Sequence, residues 1–151
     1  MKKTHTYTLD TISFFGAELV QSLAPLAHDR GVLMTLSGDL GAGKTTLTQH
    51  IGRILGISGH ITSPTFVIMK RYTCDPASGF DTLIHIDAYR LSSWQELESL
   101  DIATYMAQPR TLVIIEWPEH ISDTMPQPDV TLTISLCDEF QRSADMVYYF
   151  V

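Results

Sequence analysis

Short apolar runs alternate with amphipathic segments along the chain. Residues 32–37 (VLMTLS) and 111–117 (TLVIIEW) are almost continuously apolar and have the length of strands buried on both faces. Residues 4–9 and 130–136 alternate between polar and apolar side chains, which predicts two more strands, the first at a sheet edge. FVIMKRYT and TLIHIDAY (66–73 and 82–89) predict a hairpin closed by the turn-rich CDPASGFD, and VYYFV (147–151) predicts a last strand.

Three segments have helical periodicity. One begins after Asp10 or Thr11 as cap, with an apolar face made of Ile12, Phe15, Leu19, Val20 and Leu23. TTLTQHIGRILG predicts a second helix that ends at Gly56, with Leu47, Ile51, Ile54 and Leu55 facing inward. Residues 92–106 are predicted to be mostly helical, with Ser92 or Ser93 as cap and Glu96 closing a capping box. Buried strands alternating with helices predict an α/β layer structure, as a single domain over residues 1–151.

Composition narrows the choice of partners and compartment. The net charge of −7 argues against independent binding to nucleic acid, which needs clustered lysine and arginine. The two cysteines, Cys74 and Cys137, stand in unrelated contexts, which fits a reducing cytosol better than a disulfide scaffold. No apolar run approaches the length of a membrane span, and the N-terminus has no secretory pattern, so we expect a cytoplasmic protein without a membrane partner.

The segment GDLGAGKT (38–45) satisfies the pattern G-x-x-x-x-G-K-[ST] between a buried strand and a helix. Gly38, Gly41 and Gly43 permit the bend whose backbone N–H groups can surround a triphosphate, at the positive end of the helix dipole. Lys44 is expected to reach the β- and γ-phosphates, and the hydroxyl of Thr45 to ligate Mg²⁺. The predicted nucleotide-binding segment is completed by Asp39, Leu40, Ala42 and Thr46. The structural alternative is a glycine-rich connection with an exposed lysine, which the flanking strand and helix disfavour.

Two predicted strands end in an acid, Asp87 in LIHID and Glu116 in LVIIE. The carboxyl ends of parallel strands share the sheet edge that holds the glycine bend, so one acid can hold Mg²⁺ while the other polarises an attacking water. A helix cap or a strand-end charge is the structural alternative for each acid. Together with the alternating strands and helices, the glycine bend predicts a three-layer, P-loop NTPase-like α/β fold with a central mixed, mostly parallel sheet.

Two further side chains are weaker candidates. His85 stands two residues before Asp87 and therefore points to the same face of its strand, where packing and a site contact are equally open. Thr65 in SPTF follows the P-loop helix, where a hydroxyl can sense the γ-phosphate or simply close a turn. The histidines at 5, 28, 50, 60 and 120 lack metal-ligand spacing and are predicted to be structural.

GDLGAGKTT, SPTF, HIDAYRL and IIEWPE, in this order, resemble the TsaE family (also called YjeE) from about residue 30 to residue 136. The P-loop is generic, whereas H-x-D-x-Y-R followed by E-W-P is specific. The resemblance implies slow, Mg²⁺-dependent ATP hydrolysis by a subunit that acts on the partners TsaB and TsaD. Those partners transfer the threonylcarbamoyl group to adenosine 37 of tRNAs that read ANN codons, so contact with tRNA would be indirect.

The resemblance also implies residue roles. Lys44 and Thr45 fall on the P-loop lysine and the metal-ligating threonine, and Thr65 falls on the switch threonine. Asp87 and Glu116 fall on the two acids, with Glu116 taken as the second metal ligand beside Thr45. Trp117 falls on a tryptophan at the nucleotide, while Tyr89 and Arg90 complete the motif without an assigned role. The chain departs from the family at Asp101, where a glycine is usual, and beyond about residue 137.

Two other functions are compatible with a P-loop. A small-molecule kinase would need an acceptor pocket and a basic lid, yet only Arg90 and Arg110 are basic between residues 72 and 141. A non-catalytic module could instead use ATP to order a docking surface.

Overall fold

One mixed sheet of seven strands forms the centre of the computed structural model, which describes residues 1–150. The strands are β1 (Lys2–Tyr7), β2 (Val32–Ser37), β3 (Met69–Thr73), β4 (Thr82–Asp87), β5 (Thr111–Glu116), β6 (Val130–Leu136) and β7 (Arg142–Tyr148). The helices are α1 (Ile12–Leu23), α2 (Lys44–Ile54), α3 (Gln95–Glu98) and α4 (Ile102–Ala107). None of the helices within residues 1–150 combines the length and the apolar character needed to cross a bilayer.

The strand order across the sheet is β1-β7-β6-β2-β5-β4-β3. The four central strands, β6, β2, β5 and β4, are parallel to one another, whereas the outer pairs β1–β7, β7–β6 and β4–β3 are antiparallel. Both β4 and β5 are buried over their whole length, as parallel strands covered on both faces must be. The predicted α/β fold with a central mixed sheet is confirmed.

Helices cover both faces of the sheet. Alternate residues of β2 and β5 separate into two apolar clusters, one shared with α1 and α2 and the other with α3 and α4. The helices α1 and α2 approach closely at Gly16, where an added Cβ would lie 2.9 Å from Cδ1 of Ile54. The five residues predicted for the apolar face of α1 are all buried. The molecule therefore has the three predicted layers.

Residues 92–106 are mostly helical, as predicted, but the helical segment is interrupted. The structure has two short helices, α3 and α4, separated at Asp101, which adopts a left-handed conformation with φ +62°. A left-handed residue ends helical hydrogen bonding. The carboxylate of Glu96 does accept hydrogen bonds from the backbone N–H groups of Ser92 (2.7 Å) and Ser93 (3.0 Å), which lowers the pKa of Glu96. Neither serine caps the helix, because α3 begins after Trp94.

Three predicted strand boundaries also shift. β1 begins at Lys2 and ends at Tyr7, and β3 begins only at Met69, after Ile68 with φ +69°. The last strand, β7, starts at Arg142 and not at the predicted residue 147. The residues of its first half are mostly polar, but they pair with both β1 and β6. It ends at Tyr148, and the predicted end at Val151 lies outside the described residues.

Candidate functional site

The loop between β2 and α2 has three glycines with backbone conformations that L side chains rarely adopt. Gly38, Gly41 and Gly43 have φ of +153°, +82° and +105°. A Cβ at Gly38 would lie 2.6 Å from the carbonyl oxygen of Ile134, while Gly43 is the left-handed residue directly before α2. The bend therefore needs glycine for its backbone dihedrals at all three positions and for close approach at Gly38.

Lys44, the first residue of α2, lies inside this loop. Its side chain is buried, and its Nζ donates hydrogen bonds to the carbonyl oxygens of Gly38 (2.6 Å) and Asp39 (3.1 Å). The Nζ atom also lies 4.0 Å from the ring centroid of Trp117. Burial lowers the pKa of Lys44, and the nearby carboxylates, Glu116 first among them, oppose that shift. The alternative of an exposed lysine on a glycine-rich connection is therefore excluded.

Glu116 ends β5 next to the start of α2. The hydroxyl of Thr45 donates to this carboxylate, at 2.9 Å from Oε1 and 3.2 Å from Oε2, and Nε2 of His85 is hydrogen-bonded to Oε2. Glu116 is 3% exposed and His85 is fully buried. Within residues 1–150, Nδ1 of His85 has no hydrogen-bond partner. His85 therefore contacts the acid that ends the neighbouring strand. Of the two alternatives left open for His85, packing and a contact with the site, the structure shows the contact.

Asp87 ends β4 directly beside Glu116, because the two residues are partners in the parallel register. Its Oδ2 accepts hydrogen bonds from the hydroxyls of Thr65 (3.1 Å) and Ser63 (3.4 Å). Its Oδ1 accepts one from the backbone N–H of Tyr89 at 2.9 Å. Asp87 thus joins the loop after α2 to the loop after β4.

These groups surround a cleft of about 450 Å³, a volume within the range of small-molecule sites. The predicted residues on its walls are Leu40, Gly41, Gly43, Lys44, Thr45, Thr46, Thr65, Asp87, Glu116 and Trp117. Gly38 and Asp39 lie behind them as acceptors for Lys44, and Ala42 is buried beneath the loop. The topology thus brings together residues from four separate sequence segments.

Comparisons with known proteins identify the family of this chain. The family model described as "Threonylcarbamoyl adenosine biosynthesis protein TsaE" matches residues 7–144. The chain belongs to the TsaE family. It is 31% identical over 141 residues to the tRNA threonylcarbamoyladenosine biosynthesis protein TsaE of Haemophilus influenzae, covering 92% of this chain and 86% of the relative. The protein of the same name from Streptomyces coelicolor is 41% identical over 119 residues, covering 78% and 76%.

A solved structure also resembles the fold. The crystal structure of Bacillus subtilis YdiB superposes with a TM-score of 0.65 at 26% identity, covering 99% of this chain and 88% of that one. The match of the TsaE family extends beyond the predicted limits of about 30 and 136 to include Tyr7 and Ala144. Asp101, where the resemblance leads us to expect a glycine, adopts a left-handed conformation, which glycine favours.

Aromatic side chains form the rim of the cleft in this TsaE-family chain. The ring of Tyr89 meets the ring of Trp117 edge-on at 5.1 Å, and Nδ1 of His120 donates to the carbonyl oxygen of Tyr89 at 2.7 Å. Sequence reasoning left Tyr89 without a role, predicted His120 to be structural and missed Ser63. Two signals could have identified Tyr89 and Ser63: Tyr89 belongs to the H-x-D-x-Y-R motif, and Ser63 belongs to SPTF.

The oxygen atoms of Thr45 and Glu116 are the groups that could hold a cation. Within residues 1–150, no group of three or more His, Cys, Asp or Glu side chains has the geometry of a metal site. A cation would therefore need ligands from water and phosphate as well. Mg²⁺ is commonly bound in this way, through one or two protein oxygens and the phosphates of its substrate, so the residues present fit Mg²⁺.

Proposed function

We propose that this chain binds Mg²⁺-ATP in the cleft and hydrolyses it, slowly when alone, during formation of threonylcarbamoyladenosine on tRNA. The observation that carries the proposal is the contact between the Thr45 hydroxyl and the Glu116 carboxylate, beside the ammonium group of Lys44. The names of the TsaE relatives supply the pathway.

The P-loop would hold the phosphates. Its left-handed glycines and the N-terminus of α2 suit an anion, since unpaired N–H groups and the helix dipole both favour negative charge. The Nζ atom of Lys44 is bonded to two loop carbonyls, and phosphate oxygens are the stronger, charged acceptors to which it would turn. Mg²⁺ held by Thr45 and Glu116 would neutralise charge on the phosphates.

Asp87 is the better placed of the two acids to orient the attacking water. Glu116 is already engaged by Thr45 and His85, whereas Asp87 is bonded to hydroxyls of the loop that contains Ser63 and Thr65. A γ-phosphate that attracts the hydroxyls of Thr65 and Ser63 would free Oδ2 of Asp87 for a water. The arrangement therefore divides the labour, with Glu116 at the metal and Asp87 at the water.

The charge of the chain suggests how it takes part in a tRNA reaction. At a net charge of −7, the protein is poorly suited to hold tRNA itself. We therefore propose that it acts on the TsaB–TsaD complex, which would hold the tRNA, and that ATP turnover drives or resets that assembly. The contact with tRNA is then indirect.

The test is a reconstituted reaction in which released phosphate and modified adenosine are measured together. Lys44→Ala is expected to abolish both, because the buried ammonium is the only lysine on the cleft wall within residues 1–150. Lys2→Ala, at an exposed position of β1, is the matched control and is expected to leave both unchanged. Unchanged modification with Lys44→Ala would remove the P-loop from the reaction.

The same reaction distinguishes the two other functions. Label from γ-labelled ATP that appears on a nucleoside acceptor, and not on free phosphate, indicates a kinase. Full modification with a non-hydrolysable ATP analogue indicates a nucleotide-gated binding module. Hydrolysis that requires TsaB–TsaD supports the proposal.

A further inference from the structure

His85 is a polar side chain in the buried interior of the sheet. It lies on β4, pairs with Ile114 of β5 in the parallel register and is 0% exposed. The neighbours of His85 on the same face of the sheet, Leu83 and Ile114, belong to the apolar cluster shared with α1 and α2. Buried polar side chains in proteins nearly always have hydrogen-bond partners, so a histidine in such a layer is expected to serve a particular contact.

Within the part of the chain that the structure describes, only one nitrogen of the His85 ring makes a hydrogen bond. Nε2 is bonded to Oε2 of Glu116, whereas Nδ1 has no partner among residues 1–150. An ionised carboxylate only accepts hydrogen bonds, so Nε2 carries the hydrogen of this contact. The polar character of the His85 ring is therefore used for Glu116 alone.

The carboxylate of Glu116 is held from two different elements. The hydroxyl of Thr45, on α2, donates to both of its oxygens, and His85 donates to Oε2 from β4. A glutamate side chain loses much rotational freedom when it is fixed, so each donor helps to keep it in one orientation. Of the two donors, Thr45 is itself a proposed ligand of Mg²⁺, whereas His85 contacts only the carboxylate.

We propose that His85 is a positioning residue, which orients the carboxylate of Glu116 towards the cation that Thr45 and Glu116 share. The inference rests on the proposed function, which places Mg²⁺ at these two residues. His85 is not a ligand itself, because its Nε2 is bonded to Glu116 and its side chain does not line the cleft. Replacing the hydrogen-bond partner of a metal ligand typically weakens metal binding about 10- to 100-fold.

The experiment measures the affinity of the protein for a metal separately from its affinity for the nucleotide. Mn²⁺, which like Mg²⁺ prefers oxygen ligands, is titrated in the presence of ADP and followed by electron paramagnetic resonance, with Mn²⁺ bound to free ADP subtracted. Binding of ADP without metal is measured by calorimetry in EDTA. His85→Met is expected to weaken Mn²⁺ binding about 10- to 100-fold and to leave the metal-free affinity for ADP unchanged.

His85→Gln separates the hydrogen bond from the packing. Glutamine and methionine have similar lengths, but only glutamine has an N–H donor at about the reach of Nε2. His85→Gln is therefore expected to weaken Mn²⁺ binding less than about fivefold, as on weakening of one neutral hydrogen bond.

Two further variants complete the series. His85→Asn has an amide that is too short to replace Nε2, so it is expected to lose Mn²⁺ affinity as His85→Met does, and it takes the place of His85→Met if that protein does not fold. His28→Met is the matched control. The side chain of His28 is 87% exposed, contacts Asp29 and precedes the amino end of β2, whereas the P-loop follows the carboxyl end.

The outcomes separate this inference from the proposed function. Wild-type protein that binds no Mn²⁺ in the presence of ADP refutes the metal site of the proposed function. Wild-type binding of Mn²⁺ that folded His85→Met or His85→Asn retains in full refutes the positioning role alone. An equal loss of Mn²⁺ affinity in His85→Gln and His85→Met also refutes it, because packing and not the hydrogen bond would then be responsible. Lower stability in urea with unchanged Mn²⁺ affinity would give His85 a purely structural role.

Discussion

Replacing Glu116 with glutamine is expected to separate nucleotide binding from hydrolysis. The substitution keeps the size of a side chain that is 3% exposed but removes its negative charge. The carboxylate accepts hydrogen bonds from both Thr45 and His85, and the amide has only one acceptor oxygen. In Glu116→Gln, Thr45 and His85 must therefore share one uncharged oxygen, which accepts more weakly than the carboxylate.

The expected loss of rate follows from that geometry. Removing one preorganised electrostatic contact typically lowers the rate by about 10² or more, which corresponds to about 2.7 kcal/mol of transition-state stabilisation. Binding of ATP is expected to persist, because the substitution also removes a negative charge beside the phosphates. Among the carboxylates that raise the pKa of Lys44, Glu116 has the largest effect, so loss of its charge is expected to lower that pKa further.

The assay is phosphate release under single-turnover conditions, with TsaB–TsaD present, alongside calorimetric binding of ATP. Glu98→Gln is the matched control, because Glu98 is exposed on α3 and does not line the cleft. A surface charge is worth about 0–1 kcal/mol, so the control is expected to change the rate less than about fivefold. A Glu116→Gln protein that binds ATP and hydrolyses it at the wild-type rate would refute the assigned role.

Three further predictions concern stability and the loop after α2. Asp101→Gly is expected to raise the free energy of unfolding by about 0.5–1 kcal/mol in urea denaturation, because φ is +62° at this residue; a lower value would contradict the strain. Folding raises the pKa of Tyr7 from 10.0 to about 12, so the unfolded chain ionises first and the free energy of unfolding falls as the pH rises through that interval. Tyr7→Phe is expected to reduce this fall, and an equally steep fall in the variant would contradict the raised pKa. Thr65→Ala is expected to speed amide hydrogen exchange over residues 61–68 by removing the bond to Asp87, and unchanged exchange would show that this contact does not hold the loop.

Local patterns predicted the parts of the site that depend on backbone shape. The glycines at 38, 41 and 43 are needed for left-handed backbone and close approach, and a helix follows at once, so the P-loop could be identified without any tertiary contact. The strands β2 and β5 were likewise predicted from continuous apolar runs. The break within the helical segment over residues 92–106 was not predicted, because Asp101 adopts a left-handed conformation that its side chain does not signal.

Contacts between side chains of different elements could not be predicted in the same way. His85 and Glu116 lie 31 residues apart and meet only because β4 and β5 are parallel neighbours in this register. Ser63 reaches Asp87 only because the loop after α2 returns to the end of β4.

The amino-acid sequence by itself determined the glycine bend and the two acids at strand ends, because backbone sterics and hydrophobic periodicity act over a few residues. The family followed from the resemblance of its motifs. The tertiary structure alone decided that β2 lies between β5 and β6, and so which side of the P-loop faces the two acids. Strand order and register depend on packing summed over the whole sheet, and the partners of Glu116 and Asp87 follow from them.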